Sequence, residues 1–328
     1  MTAVALFGAG RIGKIHAANL AAQSGARLKY VVDTHQPSAQ ELAAHYGASV
    51  TDIDSALADP EVGAVVIASS TDTHADLILR AAARGKAIFC EKPVDLTLER
   101  ARQCAAAVKE AGVACLIGFQ RRYDPTFAAV KARIEAGEIG QPEVLIVTSR
   151  DPGAPPVDYI KRSGGIFKDM LIHDFDICRW ILADEAVSVQ ASASVLTDPA
   201  IGAAGDADTT AVTIRTRSGR LCQINTSRRA AYGYDQRFEV MGNLGMLQAG
   251  NHRPTEVTAY GSQQVSTDLP ERFFLERYRA AYALEMAHFF EVVQHGTRPR
   301  TTVEDGVKAL ELADAATRSW QENRLITL

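Results

Sequence analysis

At 328 residues the chain exceeds what one ordinary hydrophobic core organises and suits two domains of common size. Its 47% hydrophobic and 23% charged residues are those of a globular protein, and a net charge of −4 gives no reason to expect nucleic acid or an anionic membrane as partner. No run approaches the roughly 18 uninterrupted apolar residues of a membrane span. The opening MTAVALF breaks at Gly8 without the charged and apolar regions of an export signal, so an unexported, soluble, cytoplasmic protein is expected. The five cysteines are odd in number and scattered, with no C-x-x-C pair, which fits buried thiols better than disulfides or structural zinc.

In chain order, residues 1–118 alternate short β-branched runs with Ala-rich amphipathic runs, the pattern of βαβ units. Strands are predicted at 4–7, 28–32, 64–68, 87–90 and 113–117, with helices at 12–23, 39–46, 75–84 and 98–111. Gly25, Gly47, Gly85 and Gly112 fall just past those helices, where a left-handed residue is wanted. From about Phe119 the runs lengthen and alternate with period two, at 143–149, 187–195, 209–217 and 220–227, with turn signals at Ser218-Gly219 and Gly242-Asn243. Helices are predicted at 167–182, 276–293 and 303–321. The expected fold is an α/β N-terminal Rossmann domain with a mostly parallel sheet over 1–118. An α+β domain with a large, mostly antiparallel sheet follows over 119–328, and its last helix can pack back on the first domain.

Gly8-Ala9-Gly10-Arg11-Ile12-Gly13 directly follows a strand and opens an amphipathic run, the context a G-x-G-x-x-G dinucleotide fingerprint requires. Gly8 would permit the tight turn, Gly10 the approach of backbone to pyrophosphate, and Gly13 the packing of helix on strand. Asp33 ends the second strand about twenty residues on, where a carboxylate accepts hydrogen bonds from the adenosine ribose and repels a 2′-phosphate; NAD is therefore preferred over NADP. The bland alternative is an ordinary strand-to-helix turn with a loop-capping aspartate.

Glu91-Lys92-Pro93 follows the fourth of the predicted strands, which brings Lys92 to the carboxyl edge of the parallel sheet, where such sheets bind ligands. The tripeptide alone also reads as a surface lysine beside a turn proline. Asp169 and His173 stand at i and i+4, so one helix would present both from one face. A carboxylate orients an imidazole and favours its protonated form, which helps His173 take the proton of an alcohol as hydride leaves the same carbon. Lys92 would stabilise the charge developing on that oxygen. A surface ion pair remains the alternative for Asp169 and His173. Since Lys92 belongs to the first domain and the other two to the second, the site is expected to draw on both.

These residues together resemble the glucose-fructose oxidoreductase and inositol dehydrogenase family, with similarity over nearly the whole chain: Gly8 to Gly13, Thr71-Asp72-Thr73-His74, Glu91-Lys92-Pro93, Gly118 to Asp124 and Gly164 to Asp176. The pattern is most similar to the inositol 2-dehydrogenase branch at Arg150-Asp151-Pro152, Ser163-Gly164-Gly165 and Tyr232-Gly233-Tyr234-Asp235-Gln236-Arg237. The resemblance implies a catalytic Lys92, Asp169 and His173, with His173 as base, and a substrate pocket that adds Tyr234. Arg122, with Arg121 just after the last strand of the first domain, is expected to reach the substrate, and an interdomain salt bridge is the bland alternative. It implies NAD contacts from Arg11, Ile12, Ser70, Thr71, His74, Glu91 and Lys92 beside the fingerprint glycines and Asp33. It also implies dimers or tetramers formed through the C-terminal sheets. One departure is Ser69-Ser70-Thr71-Asp72, where the family often has Pro-Asn. The expected activity is NAD-dependent oxidation of a cyclitol hydroxyl, most simply myo-inositol to its 2-ketone. The alternatives are a related sugar or scyllo-inositol dehydrogenase, an NAD-dependent glycosidase, and a dinucleotide sensor that has no need of a base. No metal is expected: Asp174 and Asp176 flank His173, but Asp174 turns about 100° away on a helix.

Overall fold

The computed structural model describes residues 1–328. They form two compact units, one of Met1–Tyr123 with Ala281–Leu310 and the other of Asp124–Ala280 with Glu311–Leu328.

The sheet of the first unit contains β1 (Thr2–Phe7), β2 (Ala26–Val32), β3 (Ser49–Val50), β4 (Val62–Ile67), β5 (Ala87–Glu91) and β6 (Cys115–Gly118) in the order β3-β2-β1-β4-β5-β6. Every neighbouring pair is parallel. Val4, Ala5 and Leu6 of β1 and Ala64 to Ile67 of β4 are wholly buried. That explains why these strands read as continuous apolar runs: helices cover both faces, so no alternation is imposed. The strand order reverses between β1 and β4, the position at which open α/β sheets take ligands at their carboxyl ends. Gly47 and Gly112 are left-handed helix caps as expected, and Gly85 is left-handed one residue past its helix cap. Gly25 is not left-handed; its missing side chain makes room for Gln294, whose Nε2 would lie 2.0 Å from a Cβ there. Two-residue β3 and the short helix Ile53–Ala58 escape the sequence pattern because neither is long enough to show a period.

The sheet of the second unit contains β7 (Pro142–Arg150), β8 (Ala186–Ser194), β9 (Thr209–Thr216), β10 (Leu221–Ser227), β11 (Asp235–Gly242) and β12 (Gly245–Ala249). With β15 (Ile326–Thr327) the order is β12-β11-β7-β10-β9-β8-β15. All pairs are antiparallel except β7 with β10. Burial alternates strictly along β9 and through Leu221–Thr226 of β10, so one face is packed and one is open. Both predicted turns join hairpins, Ser218-Gly219 between β9 and β10 and Gly242-Asn243 between β11 and β12. A separate ribbon pairs β13 (Thr258–Tyr260) with β14 (Val265–Thr267).

The single helix predicted over 167–182 is in fact two, Gly165–Asp169 and Ile172–Leu182, joined by Met170 and Leu171. Both joining residues keep right-handed helical dihedrals, so the path kinks rather than unwinds. Left-handed Gly164 and Gly165 start it two residues earlier than the apolar pattern indicates. The helix predicted at 276–293 likewise divides, into Phe274–Arg277 and Arg279–His295, and Pro125–Glu135, capped by Asp124 on the Phe127 amide at 3.0 Å, adds one the pattern did not reveal. No helix is long and apolar enough to cross a membrane.

Candidate active site

The fingerprint forms a cradle of bare backbone. Gly8 has φ +105°, and a Cβ there would lie 2.4 Å from the Ala68 carbonyl oxygen at the end of β4. A Cβ on Gly13 would lie 2.0 Å from the Gly8 carbonyl oxygen, so only glycine lets helix Arg11–Ala21 start this close to the turn. Gly10 is that helix's N-cap, with no side-chain capping bond, and nothing lies within 4 Å of where its Cβ would be. The helix therefore begins with uncapped amides beside open space, which fits a dinucleotide pyrophosphate.

Asp33 closes the cradle. Its Oδ2 accepts from the Ala9 amide at 2.6 Å and its Oδ1 from the His35 amide at 2.7 Å. A carboxylate has about four acceptor positions, so two bonds fix its plane and leave capacity for ribose hydroxyls. A negative charge held here opposes a 2′-phosphate.

Lys92 leaves the end of β5 through a cis Lys92-Pro93 peptide and is half-buried. The turn is pinned on both sides. Before it, Glu91 pairs with His16 at 2.7 Å, an imidazole fully buried on helix Arg11–Ala21 against Phe89. Gly118 spares the Glu91 carboxylate a clash, since a Cβ there would lie 3.0 Å from its Oε2. After it, the Pro93 carbonyl accepts from His74 Nδ1 at 2.8 Å, while the other ring nitrogen stands 3.2 Å from the Ser69 carbonyl. Burial pushes the His74 pKa down, although both carbonyls act the other way. His74 thus ties the Ser69 loop to the lysine turn, with both nitrogens facing protein oxygens. In that loop Ser70 is exposed, Thr71 half-buried, and Ser69 and Thr73 join hydroxyls at 2.6 Å.

In the second unit Asp169 ends its short helix with a side chain 14% exposed, and buried His173 follows one turn later on Ile172–Leu182. Tyr159, 45% exposed, donates to Asp169 Oδ1 at 2.9 Å. Arg228, wholly buried, approaches Asp169 Oδ2 at 3.5 Å. The sequence reading omits Arg228 and Tyr159. For Arg228 a signal exists: buried positions alternate along Cys222, Ile224 and Thr226, and the same parity brings a cation to the packed side. Tyr234 precedes β11, is 6% exposed, and meets Phe273 and Tyr278 edge-on. Arg122, given a substrate role above, donates to the Arg300 carbonyl at 2.9 Å and to Asp305 at 3.1 Å, which anchors it within its own unit.

A cavity of about 500 Å³ in the second unit, lined by Asp124, His252, Glu271, Arg272, Glu276 and Arg277 among others, takes in none of the sequence-predicted site residues. Its Asp124–Arg277 ion pair is buried, and the guanidinium also stacks on Phe127 and Tyr278.

Comparison with known proteins gives these features a context. Residues 2–119 match the NAD-binding Rossmann fold of an oxidoreductase family, and residues 131–328 match that family's C-terminal alpha/beta domain. Among curated proteins, the inositol 2-dehydrogenase of Rhizobium meliloti is 49% identical over 98% of both chains. The myo-inositol 2-dehydrogenase of Thermotoga maritima is 43% identical over 99% of this chain and 98% of its own. The crystal structure of a myo-inositol dehydrogenase from Corynebacterium glutamicum superposes with a TM-score of 0.96 at 43% identity, covering 100% of this chain and 99% of the other. The chain belongs to the glucose-fructose oxidoreductase and inositol dehydrogenase family of oxidoreductases.

Proposed function

We propose that the protein is an NAD-dependent inositol 2-dehydrogenase that oxidises a secondary hydroxyl of myo-inositol to the ketone. The observation that carries this reading is identity of 49% and 43% to two inositol 2-dehydrogenases along essentially the whole chain. NAD, when bound, supplies the acceptor for the hydride that leaves the carbinol carbon. Gly8, Gly10 and Gly13 admit its pyrophosphate, Asp33 takes its ribose hydroxyls, and Arg11, Ile12, Ser70, Thr71, Glu91 and Lys92 complete its surroundings. His173 removes the hydroxyl proton, Asp169 holds the imidazole and a substrate hydroxyl, and Lys92 stabilises the oxygen as its negative charge grows. Tyr234 and Arg122 complete the substrate's surroundings.

The protein works in the cytoplasm, a compartment that suits five free, buried thiols. It forms a dimer or tetramer through the open face of its second sheet. There Met246, Met241, Val144 and Leu221 are directly opposite one another across β12, β11, β7 and β10, and Met246, Met241 and Leu221 are 53%, 46% and 40% exposed. Such an apolar row across four strands calls for cover. Light scattering of the purified protein decides this, and a monomer at micromolar concentration rules it out.

Myo-, scyllo- and chiro-inositol and glucose, each offered with NAD and with NADP, test the activity. Reduced cofactor should accumulate fastest with myo-inositol and NAD. Release of a sugar from a glycoside without accumulation of reduced cofactor would favour the glycosidase alternative and overturn the reading.

A further inference from the structure

The Arg228 side chain is fully buried, and two carboxylates share its charge. Its Nη2 is 3.5 Å from Asp169 Oδ2 and 3.6 Å from Asp206 Oδ2, longer than the roughly 2.7–2.9 Å of a charge-assisted hydrogen bond. The Arg228 amide donates to the Asp208 carbonyl at 2.8 Å, which fixes the residue just past β10. Asp206 in turn caps the Asp169 helix from below: its Oδ1 accepts from the Ile166 amide at 3.0 Å, and a Cβ on Gly165 would come within 2.9 Å of that oxygen. Gly165 therefore makes room for Asp206, Asp206 for Arg228, and Arg228 stands behind Asp169.

A guanidinium stays charged in any protein environment, and burying one is costly unless its charge is matched. Here the cation lies against two carboxylates, Asp169 and Asp206, and burial pushes the Asp206 pKa up. His173 follows one helical turn after Asp169. We propose that Arg228 is a positioning residue for the oxidation: it fixes the Asp169 carboxylate and, through that charge, limits how tightly His173 holds the proton it removes. This rests on the roles of Asp169 and His173 proposed above.

The direction of the effect follows from charge. His173 accepts a proton only when neutral, so anything that stabilises the imidazolium moves the acid limb of kcat/KM to higher pH. Loss of the Arg228 cation removes a positive charge beside Asp169 and does this. Loss of the Asp206 anion frees more of the Arg228 field for Asp169 and moves the limb to lower pH. The other charged or titratable groups around the segment are Tyr159, Lys168 with Asp314, the buried Asp174 and Asp176, buried Cys222 on β10, and Arg150 with Asp235 at the ends of β7 and β11. They are the same in every variant, so differences report on Arg228 and Asp206.

The test is the pH dependence of myo-inositol oxidation at saturating NAD in the wild type, Arg228→Met, Arg228→Lys and Asp206→Asn, with NAD affinity and Tm measured alongside. In Arg228→Met the acid limb should rise by about half a unit to one unit. The same variant should lose more than tenfold in kcat and keep NAD affinity within twofold. Arg228→Lys should recover most of the loss. Arg228→Met takes the cation away from buried Asp206 and part-buried Asp169, so Asp206→Asn, which still offers Oδ1 to the Ile166 amide, decides the matter if the first variant does not fold; its limb should fall by a similar amount. An acid limb unmoved in Asp206→Asn, or rate losses that only follow Tm, overturns the proposal. Asp169→Asn separates the two readings: wild-type turnover there refutes the role of Asp169 itself, while an inactive Asp169→Asn with unmoved limbs in the other variants refutes only the role of Arg228.

Discussion

Gly10 and Gly13 differ by three positions in the same fingerprint, and the structure predicts opposite consequences for adding one methyl group to each. At Gly13 the new Cβ would start 2.0 Å from the Gly8 carbonyl oxygen, whereas real contacts stay beyond 3.0 Å. Helix and turn must therefore separate by about 1 Å, and overpacking of that kind costs roughly 1–3 kcal/mol. At a few degrees per kcal/mol, Tm of the cofactor-free protein should fall by about 3–10 °C. At Gly10 the Cβ meets nothing within 4 Å and the dihedrals, φ −73° and ψ −167°, are open to any residue. Gly10→Ala should cost about 0.5 kcal/mol at the helix N-cap, or ~1–2 °C. Its methyl group instead enters the space reserved for the pyrophosphate, so NAD affinity should fall at least tenfold, about 1.4 kcal/mol. Differential scanning fluorimetry without cofactor and titration calorimetry with NAD separate the two effects. Wild-type NAD affinity in Gly10→Ala, or wild-type Tm in Gly13→Ala, would refute the assignment of these glycines.

Asp33→Ala removes the acceptor for the Ala9 and His35 amides together with the charge that repels a 2′-phosphate. The ratio of kcat/KM for NADP to that for NAD should rise at least tenfold, and an unchanged ratio would show that discrimination lies elsewhere. Burial raises the Asp184 pKa, but bonds from the Ser218 hydroxyl and amide outweigh it and bring the carboxyl to about 2. A depressed carboxylate stabilises the fold above its unfolded value of 3.8 and loses that contribution as pH falls toward 2. Asp184→Asn should therefore lower Tm at neutral pH by more than at pH 3.8, and a constant difference would contradict the linkage. All five cysteines are buried, and burial pushes the Cys104 thiol up to about 12. The folded protein should react with a disulfide reagent no faster than it unfolds, and a fast-reacting thiol would show a cysteine more open than the fold allows.

Most of the first unit is legible in its sequence because buried parallel strands and Ala-rich helices carry their periods openly, and because Gly8, Gly13 and Asp33 have backbone reasons for being where they are. The second sheet is legible through the alternation in β9 and β10 and the two Gly-containing turns. Elements of two to five residues such as β3 and Pro199–Ala203 show no period at all. The kink at Met170-Leu171 is invisible because both residues are good helix formers and keep helical dihedrals. Asp169 and His173 stand out in the sequence by an i, i+4 spacing that the folded chain divides between two helices, whereas the side chains around Asp169 come from distant chain. Arg228, just past β10, reaches Asp169 and also Asp206, which lies ahead of β9, and Tyr159 reaches Asp169 from helix Val157–Ser163. His74 shows the reverse: it looks like a ligand in its Thr-Asp-Thr-His setting, yet the folded chain turns its ring onto two carbonyls.

In the proposed reaction a hydride moves from the carbinol carbon of a cyclitol to NAD while His173 takes the hydroxyl proton. Incubation with myo-inositol deuterated at carbon 2, followed by mass analysis of the cofactor, reads out that transfer. The prediction is one deuterium in each reduced cofactor for each molecule of 2-ketone formed, and no label transfer in His173→Ala although NAD still binds. Reduced cofactor without deuterium, ketone without reduced cofactor, or full transfer in His173→Ala would contradict it.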